Sequence, residues 1–202
     1  MIAAVVLAAG RSTRMGRPKL LLEIAGRTVL QHVVAHARQS RCDRIVVVVG
    51  DEADRVARGV RGPAVEIVVN ERYREGMGTS LAAGISALPP ECEAAIILLG
   101  DQPRVTAAFI DGLIDAHRTT GKPLVTSRYG GATGAPTLIG RALFDEARRL
   151  GGDVGGRSLM ERHPDLVGEV PLSPDLAADL DTPDEFARLR DAIETDSPPK
   201  SR

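Results

Sequence analysis

The sequence predicts an α/β fold, a Rossmann-like, doubly wound and mostly parallel sheet, on three observations. Short apolar, β-rich runs recur along the first half and are continuous rather than alternating, as in strands covered on both faces. Helical stretches separate them, and strand–helix alternation is the pattern of a parallel sheet with crossover helices. A chain of 202 residues that is 43% hydrophobic and 26% charged can bury one sizeable core.

In order, residues 2–7, 45–49, 65–69 and 94–99 are the predicted core strands. Helices are predicted over 29–38, 80–88 and 107–118, with Thr79 or Ser80 able to cap the second. The second half is less regular. Strands are expected at 124–127 and 136–139 around a glycine-rich loop, 128–135, and a late strand at 168–171. Helices are expected at 141–150, 156–162 and 183–193. Neither a second core nor an internal repeat is visible. The expected organisation is one domain over 1–194 and a polar, Pro-bearing tail over 195–202.

Composition narrows the function. Lys and Arg number 26 against 27 Asp and Glu, so no global field draws in nucleic acid or an anionic membrane. Aromatics make up 2% with no Trp, too few for base-stacking platforms. Cys42 and Cys92 form neither a CxxC pair nor a disulfide framework. No apolar run is long enough to span a bilayer, and the expected location is cytoplasmic. His32 and His36 have the i,i+4 spacing of a helical metal pair but lack the acidic pattern that would accompany one. His117 and His163 have no sequence partners that suggest catalysis.

Three segments carry chemistry. After the first strand, Leu7-Ala8-Ala9-Gly10 offers small residues that let a ligand reach the backbone, and Arg11, Arg14 and Lys19 add cations. Such a loop suits a triphosphate, whose charge must be offset before its α-phosphorus is attacked; alone, it also fits a flexible basic connection. Asp101, in Leu99-Gly100-Asp101-Gln102-Pro103, follows a buried strand and faces the carboxyl edge of the sheet, where a carboxylate can hold Mg²⁺ or simply end the strand in a turn. Asp179 and Asp181 flank Leu180, so both carboxylates lie on one side of an extended segment. One is free to complete a Mg²⁺ site with Asp101, and Asp181 is favoured over Asp179. Paired carboxylates also serve glycoside hydrolysis, but the phosphate loop argues against that class.

Read together, the stretch from Leu7 to Val34, the Glu75-Gly76-Met77-Gly78-Thr79-Ser80-Leu81 element, the Leu-Gly-Asp-Gln-Pro motif and Asp179–Glu185 resemble the MobA-like NTP transferases, and among them the molybdenum cofactor cytidylyltransferases. The resemblance implies a glycosyltransferase-A-like nucleotidyltransferase fold. It implies that Leu7, Ala8, Ala9, Gly10 and Arg11, with Asn70, Gly78 and Ser80, bind the nucleotide. It places Arg14 near the departing pyrophosphate, Lys19 at the α-phosphate, and Mg²⁺ on Asp101 with Asp181. Arg14, Lys19 and Asp101 are then the catalytic residues. The reaction implied is CMP transfer from CTP to the terminal phosphate of a molybdopterin-type cofactor, with release of pyrophosphate and a molybdoenzyme as downstream client. Gly151–Arg157 resembles the acceptor element, with Arg157 as the phosphate ligand, whereas Ala135 stands where the family has histidine. GTP or another NTP with a different phosphorylated acceptor is the alternative, as is a cofactor carrier without turnover.

Overall fold

The computed structural model describes residues 1–10, 18–50 and 52–196. In chain order these form β1 (Ile2–Ala8), β2 (Glu23–Ile24), β3 (Arg27–Thr28), α1 (Val29–Gln39), β4 (Arg44–Val49), α2 (Ala53–Arg58), β5 (Val65–Val69) and α3 (Met77–Ser86). There follow β6 (Ala94–Leu99), α4 (Ala107–Thr120), β7 (Leu124–Tyr129), β8 (Ala132–Gly140), α5 (Phe144–Ala147), α6 (Arg157–Arg162), β9 (Val167–Pro171) and α7 (Pro183–Asp196). Arg11, Arg14 and the last six residues lie outside the described residues.

Seven strands make one sheet in the order β5-β4-β1-β6-β8-β7-β9, and all pair in parallel except β8, which is antiparallel to both its neighbours. β1 explains the continuous apolar runs. Its even residues, among them Ala4 and Val6, pack with Leu30 and Val33 of α1 and Ile110 and Leu113 of α4. Its odd residues Ala3 and Val5 pack with Leu81 and Ile85 of α3 and Phe144 of α5 on the opposite face. With both faces buried, no polar alternation is possible. A small third cluster, Ile24, Val29, Leu180 and Leu189, fastens α7 to the β2–β3 hairpin.

Three expectations need correction. The 128–135 loop is instead a hairpin: β7 and β8 are joined by Gly130 and Gly131, at φ 55° and 81°. Positive φ at both central residues of a two-residue connection matches the strand twist, so the glycines are the turn rather than the sign of an open loop. The 141–150 helix is a 3₁₀ turn, Arg141–Leu143, followed by the single-turn α5. The helix expected at 80 starts at Met77 with Gly76 at its N-cap, so neither Thr79 nor Ser80 caps it. The Thr79 hydroxyl lies 2.9 Å from the carbonyl of Gly76 and 3.0 Å from that of Arg72, joining the turn before the helix to its first residues.

Candidate nucleotide and acceptor site

β1 and β6 pair in parallel with Leu7 opposite Leu99. Their carboxyl ends therefore deliver Ala9-Gly10 and Gly100-Asp101 to the same edge. The chain continues from β1 to β4 on one side and returns to β6 on the other, and a crevice opens where strand order reverses in this way. A cleft of about 540 Å³ lies there, lined by Leu7, Ala9, Gly10, Lys19, Ser80 and Asp101, with Asp179 and Asp181 on its far wall.

Lys19 opens the 3₁₀ turn Lys19–Leu21 behind Pro18 and its ammonium reaches back into the cleft. Nζ lies 2.5 Å from Oδ2 of Asp101 and 2.9 Å from Oδ1 of Asp181. The Lys19 and Asp101 side chains are only 13% and 17% exposed, which sets this apart from a surface pair screened by water. Burial alone would lower the pKa of Lys19. Asp101, and then Asp181, outweigh burial and hold it above its ordinary value.

Asp181 reaches this point because Leu180 is fully buried beside it. The following turn is pinned by a capping box: Glu185 Oε2 accepts from the backbone N–H of Asp181 and Thr182 at 2.9 and 2.8 Å, and Thr182 Oγ1 accepts from Glu185 N at 3.3 Å. Asp179 is held differently. Its carboxylate accepts from Gln102 Nε2 at 2.9 Å, so adjacent residues of one motif, Asp101 and Gln102, engage Asp181's lysine and Asp179 respectively. Burial of the Asp179 carboxyl and the nearby charge of Asp101 raise its pKa, against the Gln102 hydrogen bond.

The donor set suits a divalent cation. The Lys19 ammonium bridges Asp101 and Asp181 among the described residues. Among the described residues no group of three His, Cys, Asp or Glu side chains is placed to hold a metal. Mg²⁺ is commonly held by one or two carboxylates with phosphate oxygens completing its shell, so two carboxylates are the complement to expect from the protein.

Of the residues expected at the nucleotide, Leu7, Ala9, Gly10, Lys19 and Ser80 line the cleft. Ala8 is buried in the core beneath it. Asn70 is also buried, and its amide nitrogen donates to Thr79 Oγ1 at 2.9 Å and Ser80 Oγ at 3.0 Å, joining the end of β5 to α3. Gly78 meets backbone rather than open space. Its N–H donates to Gly152 O at 2.9 Å, and a Cβ there would fall 2.7 Å from the carbonyl oxygens of both Gly151 and Val154. The glycines of this element thus admit the 151–154 loop against the start of α3. Arg11 and Arg14 lie outside the described residues.

That loop leads to Arg157 at the start of α6, on the wall of a second cleft of about 400 Å³. The two clefts share Leu7, Met77, Leu99 and Asp153. Leu81, Ile97 and Met160 make the second cleft's floor apolar, and Ala135 faces it from β8. Sequence reasoning missed Tyr73 in the first cleft and Tyr129 in the second. They are the only two tyrosines of the chain, and a half-polar ring in so aromatic-poor a sequence was the available signal. The histidines are structural: His32 Nε2 lies 2.9 Å from Ile24 O, His117 Nδ1 2.7 Å from Lys122 O, and His163 Nε2 2.7 Å from Glu146 Oε2. His36 is half-buried, and burial lowers its pKa, with His32 and Arg27 adding to the effect.

The chain is similar to several known proteins over nearly its whole length. Nicotine blue oxidoreductase of Paenarthrobacter nicotinovorans is 30% identical over 201 residues, 93% of this chain and 96% of that protein. Rv0371c of Mycobacterium tuberculosis, solved as a complex with manganese, superposes with a TM-score of 0.78 at 32% identity, covering 95% of this chain and 98% of that one. A nucleotidyl transferase from Methanothermobacter superposes at 0.82 with 25% identity, covering 98% and 99%. The sheet with its carboxyl-edge cleft is thus a nucleotidyltransferase fold, and the model of the MobA-like NTP transferase domain matches residues 4–167: the chain belongs to that family.

Proposed function

We propose that this NTP transferase moves CMP from CTP to the terminal phosphate of a molybdopterin-type cofactor and releases pyrophosphate. The carrying observation is the convergence of Asp101 and Asp181 on Lys19, in the cleft that the end of β1 and Gly10 line and that the second cleft adjoins. In this reading Ala9 and Gly10 let the nucleotide approach the backbone, and Ser80 faces it from α3. Arg14, four residues after Gly10 in sequence, neutralises the departing pyrophosphate. Lys19 meets the charge that develops at the α-phosphate, and a preorganised cation there acts most strongly in the transition state. Asp101 and Asp181 hold Mg²⁺, which when bound offsets phosphate charge. Asp179, engaged by Gln102, is the less suited of the flanking pair. Arg157 holds the acceptor phosphate in the second cleft. That phosphate is ionised before attack, so the residues need only position it, and no general base is required.

The manganese complex of the mycobacterial relative supports a divalent ion as cofactor. The resemblance of the Gly76–Leu81 element to that of the molybdenum cofactor cytidylyltransferases favours CTP over GTP. Competitive turnover with the four NTPs and purified pterin cofactor, read as pyrophosphate release and product mass, tests the reading; a GTP preference or a different phosphorylated acceptor would replace it. One comparison favours a second reading. The Paenarthrobacter relative is named as an oxidoreductase of nicotine blue, and the apolar floor of the second cleft suits a flat body. Under that reading the chain binds such a ligand and releases no pyrophosphate with any NTP.

A further inference from the structure

Tyr129, half-buried, and Arg157, exposed, both line the second cleft. Among the described residues, the Tyr129 hydroxyl makes no hydrogen bond, and the Arg157 guanidinium makes neither a hydrogen bond nor an ion pair. Other polar groups of the same wall are used internally: Thr137 Oγ1 donates to Gly134 O at 3.0 Å, and Ser158 Oγ to Gly155 O at 3.1 Å. The carboxylates of Asp153 and Glu161 are exposed to water. A phenol that donates to none of the described residues keeps its O–H available to a ligand in the cleft.

Its place is built. Tyr129 is the last residue of β7, and Gly134 lies diagonally across the hairpin on β8. A Cβ on Gly134 would fall 2.6 Å from the Tyr129 hydroxyl oxygen. That contact is too short for any side chain, so the glycine reserves the position the hydroxyl occupies. Ala135, next along β8, presents only a methyl group to the cleft. Besides Thr137, the hairpin brings two hydroxyl side chains to the cleft, Tyr129 and Thr133, and Tyr129 is the one whose hydroxyl Gly134 leaves room for.

We infer that Tyr129 is an acceptor-binding residue and forms with Arg157 a two-donor subsite for the acceptor's phosphate. The inference rests on the proposed nucleotidyltransferase reading and assigns the second arm of its acceptor site. The chemistry is complementary: guanidinium and phenol both donate, and phosphate oxygens accept. Burial, with the nearby charge of Asp179, pushes the Tyr129 pKa up, opposed by Arg157, so at neutral pH the phenol keeps the proton it must donate.

The test uses phenyl phosphate as the probe, titrated calorimetrically into the wild type, Tyr129→Phe, Gly134→Ala and the double variant. Each titration is run without nucleotide and with a methylene-bridged, non-transferable CTP analogue plus Mg²⁺. Tyr129→Phe should weaken probe binding roughly tenfold, the scale of one hydrogen bond to a charged group. Gly134→Ala should weaken it similarly, because its methyl displaces the same hydroxyl. The double variant should then be no weaker than Tyr129→Phe. Wild-type affinity in Tyr129→Phe, additive losses in the double variant, or no probe binding by the wild type would each overturn the assignment. Should Gly134→Ala misfold, Tyr129→Phe alone decides. Binding of the CTP analogue is measured on the same samples, so a protein that binds the probe as expected but no nucleotide refutes the transferase reading and leaves the subsite standing.

Discussion

Lys19 and Asp101 stand 82 positions apart in sequence, yet the lysine's Nζ lies 2.5 Å from the aspartate's Oδ2. In the proposed reading, the ammonium lies where a divalent ion held by Asp101 and Asp181 would place its charge. On that reading the two cations compete for the same carboxylates.

Replacing Lys19 by Met, which keeps the aliphatic stem, should separate binding from chemistry. Without nucleotide, Mn²⁺ should bind the variant at least roughly tenfold more tightly, since two nearby unit charges interact by several kcal/mol even at an effective dielectric of about 20. Turnover should move the other way, with kcat and kcat/KM falling together on the order of 10²-fold. Paramagnetic resonance titration and steady-state kinetics read the two effects. Unchanged or weaker Mn²⁺ binding would show that Lys19 does not contest the site.

Asp101→Asn should reduce pyrophosphate release on the order of 10²-fold or more while the circular dichroism spectrum is preserved. The amide has the shape of the carboxylate but lacks the charge a hard cation requires. A variant with a normal melting curve and a rate near wild type in Mg²⁺ would remove Asp101 from the catalytic residues.

Gly78→Ala sets two effects against each other. Alanine in place of a helical glycine gains about 0.5–1 kcal/mol. The new methyl would stand 2.7 Å from two backbone carbonyls, which cannot rotate away as a side chain would, and overpacking typically costs about 1–3 kcal/mol. Net destabilisation of about 1–2 kcal/mol is expected in urea, with a rise in acceptor KM as the 151–157 loop is pushed off α3. Gly112→Ala in α4, where nothing lies within 4 Å, should be stabilising. Equal effects at both positions would mean that the close packing around Gly78 is unimportant.

Cys42 should make stability fall at alkaline pH. Burial pushes its thiol up to about 11, the Ser40 hydrogen bond opposing and Asp111 adding to the shift. The unfolded chain loses this proton near its ordinary value of 8.5–9, the folded protein only near 11. The folded state therefore binds more protons within that window, and stability declines as pH rises through it, by about 2–3 kcal/mol in all. Urea midpoints of the wild type and Cys42→Ala from pH 8 to 11 should diverge with that slope. Parallel curves would mean that the thiol titrates alike in both states.

The sequence by itself determined the α/β class, the four parallel core strands and the motifs that meet at the carboxyl edge, since burial on both faces writes an unbroken apolar run and each motif is local. Leu180 between two aspartates already indicated that both carboxylates point one way. Only the tertiary structure decided which partners they meet. The β1–β6 pairing brings Lys19 and Asp101 together, the burial of Leu180 carries Asp181 across from a segment 162 residues from Lys19, and Gln102 turns to Asp179. The same holds for Gly78, whose local motif resembles a ligand element but whose space is filled by the 151–154 backbone, and for Tyr129, visible as a cleft residue only once the Gly130–Gly131 turn folds β8 back beside it. Such contacts depend on register and on which chain segments become neighbours, and neither leaves a periodic trace along the sequence.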